Sequence, residues 1–290
     1  MITIRARLMS WRDLCLQITS TQYQPMKVII QGAGQDGKIL AEQLTNEGIP
    51  YSFIARQDPP DPTRFFDCAE AYFLAGPSVS ADICEIGPAL TAVTNFLTAS
   101  RLTKRRLVMV SPYAYVQGLR TPYAMYHRML LDLSTDEMDK SCVPLTVAVC
   151  YNHDSIHSRP EKFLQRVARI AAQERFDITH RTYDLAGCAT SLRTYARAHE
   201  FVRGFRAAIL LGGTYHFFGP HLHSCAEIVN LASELSKRTL RIRFMTNVES
   251  HLLPSNAMTS LVKPKILLET LLGEMIEAQF KKLQDENTGA

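Results

Sequence analysis

Short apolar runs alternate along the chain with longer stretches of helical hydrophobic spacing. Lys27-Val28-Ile29-Ile30-Gln31 is rich in β-branched residues and leads directly into Gly32-Ala33-Gly34-Gln35-Asp36-Gly37, after which Leu40 and Leu44 recur at the i,i+4 interval of a helix packed on a sheet. This predicts strand, glycine turn and helix. Further strands are predicted at 51–56, 71–75, 107–111, 145–150 and 207–211, and helices near 85–101, 122–139, 161–173, 195–203, 224–236 and 267–283. Such alternation argues for an α/β fold with a mainly parallel sheet.

Order is expected to begin at Met26. Residues 1–25 carry Arg5, Arg7, Arg12 and Asp13 among short apolar pieces, which breaks any secretory leader, and read as an extension outside the fold with a helix from Trp11 to Ile18. Residues 26–150 then form the first domain and 151–290 a smaller mixed lobe, with 207–219 returning to the sheet.

Composition narrows the class. The chain has 290 residues, 46% hydrophobic and 21% charged, enough apolar content to bury a full core and unlike a disordered or collagenous chain. Its net charge of +4 is dispersed, and the longest basic run, Lys104-Arg105-Arg106, is expected in a solvated loop, so nucleic acid is not an expected partner. No apolar stretch reaches the roughly 18 residues of a membrane helix. The seven cysteines are odd in number and never spaced CxxC, the pattern of reduced core thiols in a cytoplasmic protein, with no zinc site or disulfide framework.

The glycine turn carries the first chemical signal. Gly32, Gly34 and Gly37 follow the GxGxxG spacing between a strand and a helix, the context of a dinucleotide fingerprint: the first glycine makes the turn, the second lets a pyrophosphate approach the backbone, and the third lets helix and strand pack closely. The expected fold is therefore a Rossmann-type, doubly wound sheet. Arg56 ends the second strand where an acidic residue would hold a ribose 2'-hydroxyl, and Arg there favours NADP over NAD. Only 14 residues, Gln57 to Glu70, separate this strand from the next apolar run, and Pro59, Pro60 and Pro62 lie among them, so the third strand is expected to be missing.

Here the chain resembles the extended short-chain dehydrogenases, most closely the GDP-mannose 4,6-dehydratase family. Gly34-Gln35-Asp36-Gly37 matches its GQDG turn, and 72–79 is similar to its YNLAAQSH strand and loop. Residues 111–118 stand where its STSELYG segment lies, Thr121-Pro122-Tyr123-Ala124 resembles its SPYA helix start, and 151–155 resembles its FNHES turn. Residues 192–202, 222–227 and 263–278 continue the likeness in the same order, so that it covers 26–283.

The resemblance implies a cofactor site of Gly32, Gly34, Gln35, Asp36, Gly37, Arg56, Leu74 and Ala75 for NADP, with NAD as the alternative. It implies Tyr123 as the proton-exchanging residue; the lysine expected four residues on is His127, shorter and mostly neutral at pH 7. The acid and base that would eliminate water fall at Pro112 and Ala114, which transfer no proton. Ser111, Asn152, Arg166 and Arg193 stand where the family meets a nucleotide sugar such as GDP-mannose, Arg193 at the diphosphate. His153, His157, His216, His221 and His223 lack metal-site spacing and read as polar or capping residues, and Ser111 has no GxSxG elbow.

Two functions follow. One is an NADP-dependent enzyme of the dehydratase type with altered helpers. The other is an inactive paralogue that binds or regulates an active dehydratase, as homodimer or heteromer, through the helices near 85–101 and 122–139.

Overall fold

The computed structural model describes residues 27–55, 62–65, 68–77, 82–116, 119–247 and 264–288. The expected order at Met26, the helix from Trp11 to Ile18 and Arg56 lie outside the described residues.

Six strands make the central sheet: β1 (Lys27–Gln31), β2 (Tyr51–Ile54), β3 (Cys68–Phe73), β4 (Arg105–Val110), β5 (Leu145–Cys150) and β10 (Gly213–Phe217). Their order is β10-β5-β4-β3-β1-β2, and every neighbouring pair is parallel. A parallel sheet is covered on both faces, which is why the interior strand Leu145-Thr146-Val147-Ala148-Val149-Cys150 is buried at every position rather than alternating.

Helices α1 (Gln35–Asn46) and α5 (Ala198–Ala208) cover one face, where Ile30, Ile39, Leu40 and Leu44 meet Phe201, Val202 and Phe205. On the other face, α2 (Ile83–Ala99) and α3 (Pro122–Lys140) bury Val93, Phe96, Tyr126 and Leu130 against Ile29, Phe73, Val108 and Val147. The Leu40–Leu44 pair thus packs as its spacing implies. A third apolar cluster joins α4 (Phe163–Phe176), α6 (Cys225–Ser236) and α7 (Leu268–Thr288) through Leu164, Ala168, Ile228, Leu272 and Met275. Two-residue strands β6 (His153–Asp154) and β9 (Ala196–Arg197) pair beside the sheet. Strand β7 (Thr182–Leu185) pairs with β12 (Arg241–Phe244), and β8 (Leu192–Thr194) with β11 (Leu222–Ser224). Among the described residues no helix is long and apolar enough to cross a membrane.

Strand β2 forms the sheet edge, and between it and β3 the described residues contain only a 3-10 turn at Pro62–Phe65. The doubly wound sheet therefore carries no third strand outside β2 among the described residues.

Three expectations need correction. Residues 207–211 are not a strand: Ala208 ends α5, and the Ile209 N–H bonds the Phe205 carbonyl at 2.9 Å, continuing the helical pattern. Gly212 and Gly213, at φ of +68° and +91°, then turn the chain into β10. The apolar run fits a helix end packed on the sheet as well as it fits a strand, so only 213–217 returns to the sheet. Lys104-Arg105-Arg106 is not a solvated loop either. Arg105 and Arg106 open β4, and Arg106 is fully buried, donating to Glu137 Oε1 at 2.7 Å and to the carbonyls of Leu97 and Val143 at 3.2 and 2.9 Å. A buried guanidinium needs such a carboxylate beside it, and here Glu137 supplies the counter-charge while two carbonyls take further N–H groups, Nε being left without a partner among the described residues. Finally, the thiols are not all in the core: Cys68, Cys150, Cys188 and Cys225 are buried, but Cys84 and Cys142 are exposed.

Candidate functional site

In a parallel sheet the strands end on one side, so Gly32, Leu74, Ser111 and Tyr151 follow β1, β3, β4 and β5 along a common edge. The strand order reverses between β1 and β3, the place where an open α/β sheet leaves a crevice.

The glycine turn fills that reversal with a close approach of two backbones. Gly32 sits at φ +108°, and a Cβ on it would lie 2.7 Å from the Ala75 nitrogen and 2.9 Å from the Leu74 carbonyl carbon. A Cβ on Gly37 would stand 2.0 Å from the Gly32 carbonyl oxygen. Both positions therefore require glycine for packing alone. Gly34 differs: its φ is −73°, and a Cβ there would meet nothing within 4 Å. It precedes α1 with no side chain capping the helix, which leaves first-turn N–H groups and open space together. That is the cradle a dinucleotide pyrophosphate requires, and Gly32, Gly34, Gln35 and Gly37 fit it. Leu74 and Ala75 are buried beneath the turn.

Asp36, in the first turn of α1, is buried. Its Oδ1 lies 3.0 Å from His153 Nε2, while His153 Nδ1 faces the Tyr151 carbonyl at 2.7 Å. The ring is thus held between the glycine turn and the end of β5. Burial opposes ionisation of Asp36, but His153, with Lys162 and Gln35, outweighs it and holds the carboxyl pKa down at about 2. Gln35 Nε2 donates to the His153 carbonyl at 3.4 Å, and its Oε1 accepts from Ser158. Asp154 Oδ1 is a second acceptor within reach of the same hydroxyl hydrogen. Lys162, the residue before α4, reaches Asp154 Oδ1 at 3.2 Å and the His153 carbonyl at 3.1 Å. The turn and the segment after β5 are thus one polar network.

Tyr123 is held by the start of α3. Thr121 caps the helix by accepting from the Ala124 N–H at 3.2 Å, and Pro122 takes the first helical position, so the Tyr123 ring is carried on a rigid first turn. Ser111, just past β4, lies beside the phenol and favours its ionised form. His127, one turn later, stacks edge-on to Tyr123 with ring centroids 4.5 Å apart, and Tyr113 does so at 5.7 Å. Burial raises the phenol pKa above its ordinary value, opposed by Ser111 and the charges of Lys162 and Arg159. His127 Nδ1 accepts from the Ser111 N–H at 3.2 Å, which fixes its hydrogen on Nε2, and burial drives its pKa down to about 3. It is a neutral ring. Pro112 and Ala114 are buried in the 3-10 turn Pro112–Tyr115.

The expected substrate residues are spread more widely. Asn152 follows Tyr151, and its buried Nδ2 has no hydrogen-bond partner among the described residues. Arg193 lies half-buried on β8 with a guanidinium N–H on the Leu192 carbonyl at 2.9 Å. The Arg166 guanidinium, on α4, donates to the Asp184 carbonyl at 2.6 Å, on β7. Tyr123 and Ser111 are brought together; Arg166 is tied to the β7–β12 pair. The residues that the sequence reading missed are Lys162, Asp154 and Ser158. Asp154 lay within a motif already singled out, whereas nothing in the spacing marked Lys162.

His153 joins Asp36, and His223 lies on β11 just before α6, whose cap is Ser224. Among the described residues no group of three or more His, Cys, Asp or Glu side chains is placed to hold a metal ion.

No family model and no curated protein matches the chain by sequence. Solved structures do match by fold. RMD from Pseudomonas aeruginosa, solved with NADPH, aligns at a TM-score of 0.74 and 16% identity over 89% of this chain and 99% of that one. UDP-glucose 4-epimerase from Thermotoga maritima, solved with UDP-glucose, aligns at 0.72 and 14% identity over 89% and 100%. GDP-mannoheptose C4 reductase from Campylobacter jejuni, with NADP bound, aligns at 0.71 and 15% identity over 88% and 98%. At these identities the likeness establishes a shared Rossmann-type fold along nearly the whole length of each neighbour.

Proposed function

We propose that the protein binds NADP, with NAD as the alternative, together with a nucleotide sugar of the GDP-mannose kind, and exchanges a proton with a sugar hydroxyl through Tyr123. The observation that carries this reading is the pairing of an open cradle at Gly34 with Tyr123 and Ser111 at the end of β4 along the same sheet edge, the Tyr123 ring packed edge-on against His127 at 4.5 Å. When bound, the nicotinamide would supply or accept hydride. Gly32, Gly34, Gln35 and Gly37 would hold its diphosphate, as the open first turn of α1 suits an anion. The unpartnered Asn152 Nδ2 would be free to donate to the sugar nucleotide, and Arg193 is of the right type for its diphosphate.

The chemistry supported is oxidation or reduction at a hydroxyl-bearing carbon, in the extended short-chain dehydrogenase manner. Elimination of water is not supported, because Pro112 and Ala114 occupy the positions of its acid and base in the GDP-mannose 4,6-dehydratase family. Solved neighbours that carry NADP, NADPH or UDP-glucose favour the same ligand classes.

A second reading is favoured by one observation. His127 is locked neutral and burial keeps the Tyr123 phenol protonated, so the site suits binding better than proton transfer. In that case the protein acts as a non-catalytic partner, joining a second copy or a related dehydratase through α2 and α3, whose outer surfaces expose Ile83, Met125 and Met129.

Calorimetric titration with NADPH and with GDP-mannose tests the common premise, and absence of both binding isotherms would overturn it. Turnover of a panel of sugar nucleotides, lost in Tyr123→Phe, supports the enzyme. Binding without turnover, and co-migration with a related dehydratase, supports the partner.

A further inference from the structure

Gln31 is the last residue of β1, directly before Gly32, and its side chain is fully buried. Neither its Nε2 nor its Oε1 has a hydrogen-bond partner among the described residues. The ladder shows what surrounds it. Ile54 on β2 and Phe73 on β3 stand in register with it, and both belong to the apolar cluster that α2 and α3 cover. Side chains alternate between the faces of a strand, so Gln31 shares the face of Ile29, in that cluster, and not the face of Ile30, which meets α1. The amide therefore lies between two apolar neighbours.

The backbone beside it is already engaged. The Gln31 carbonyl accepts the Leu74 N–H at 2.9 Å, and the Gly32 N–H donates to the Ile54 carbonyl at 3.2 Å. A buried amide with donor and acceptor both unmet is costly, and an apolar side chain of similar length would fill the position without that cost. Such a group has a use when a ligand brings the matching donor and acceptor.

The position says which part of a ligand that is. Gln31 ends β1 at the reversal between β1 and β3, under the first glycine of the turn, while the open cradle for a diphosphate lies further on at Gly34. On its other side stands only the edge strand β2, so among the described residues no further strand supplies a loop to meet the base of a dinucleotide. A carboxamide offers an acceptor and a donor side by side, the complement of the N6 amino group and N7 of adenine.

We infer that Gln31 reads the adenine base of the bound dinucleotide and sets the specificity for that base. The inference rests on the functional reading above, which puts the diphosphate at the glycine turn. Hypoxanthine, with oxygen in place of the N6 amino group, presents two acceptors on the same edge and leaves the Gln31 Oε1 unmet.

The test uses the full chain. NADPH and its hypoxanthine analogue are titrated calorimetrically into the wild type, Gln31→Met and Gln31→Leu, and the three proteins are unfolded in urea without ligand. The wild type should bind NADPH roughly tenfold or more tightly than the hypoxanthine form, and both variants should bind the two forms alike, at the weaker affinity. Without ligand, Gln31→Met should unfold at higher urea than the wild type, because the unmet amide is gone. Variants that bind NADPH undiminished overturn the role of Gln31. So does a lower urea midpoint for Gln31→Met, which would mean that buried water already satisfies the amide. If one variant fails to fold, the other carries the binding comparison. A wild type that binds neither dinucleotide sinks the functional reading and this inference with it, whereas a wild type that binds both equally well sinks the role of Gln31 alone.

Discussion

His153 Nε2 lies 3.0 Å from Asp36 Oδ1, joining the end of the fifth sheet strand to the first turn of α1 across 117 positions of sequence. The Asp36 carboxyl is held at about 2, below its ordinary 3.8. A depressed carboxyl pKa contributes stability that is complete above the unfolded value and lost as the pH falls through the folded one. Asp36→Asn should therefore lower the urea midpoint at pH 7, and its deficit relative to wild type should shrink as the pH falls from 3.8 towards about 2. A deficit independent of pH would show that the pair acts by packing and not by charge.

His127 gives the opposite end of the acid profile. Its pKa falls from 6.5 to about 3 on burial, so the unfolded chain binds a proton there that the folded chain refuses. Stability is fully present above 6.5 and declines as the pH falls towards about 3, with a slope of at most about 1.4 kcal/mol per pH unit from one group. His127→Gln should flatten the dependence of unfolding free energy on pH between 6 and 5; an unchanged slope would mean that the ring is hydrated.

The glycines separate packing from binding. Gly32→Ala forces a residue into φ +108° against the Ala75 nitrogen and should cost about 1–3 kcal/mol from backbone strain, with more from the contact itself. Gly34→Ala meets nothing within 4 Å at φ −73°, so the melting temperature should stay within a few degrees of wild type while NADPH affinity drops. If Gly34→Ala binds NADPH undiminished, the cradle is not where the diphosphate sits.

Arg106 and Glu137 form a buried pair at 2.7 Å, with Arg101 also donating to the same carboxylate at 2.9 Å. Glu137→Ala should destabilise the protein by about 3–5 kcal/mol because a buried guanidinium loses its counter-charge. Adding Arg106→Met should recover a large part of that loss, and denaturant unfolding of the single and double variants measures both. No recovery in the double variant would place the cost in the cavity instead.

Much of the sheet was legible because its cause is local. The β-branched run 27–31, the apolar 145–150 and the Leu40–Leu44 interval each carry the period of the element they form, and the glycines announce a turn whose tightness the Ala75 contact explains. The run at 207–211 misled because burial against the sheet selects apolar residues in a helix end as it does in a strand. Lys104-Arg105-Arg106 misled because three charges in a row look solvated until Glu137 arrives from α3. Tyr123 and His127 could be read from one another at i,i+4. The His153–Asp36 contact could not: it joins residues 117 positions apart, which no interval along the chain encodes.

The sheet edge at β2 has a consequence for how this chain tolerates change. Because β2 pairs only with β1, residues inserted between Ile54 and Cys68 would not have to break an existing ladder among the described residues. They would be added at the rim, where lengthening a connection costs little entropy. Within that interval Phe65 is fully buried against Phe96, so a graft that keeps this ring seated lengthens the connection at the sheet edge while Gly32 and Tyr123 keep their positions.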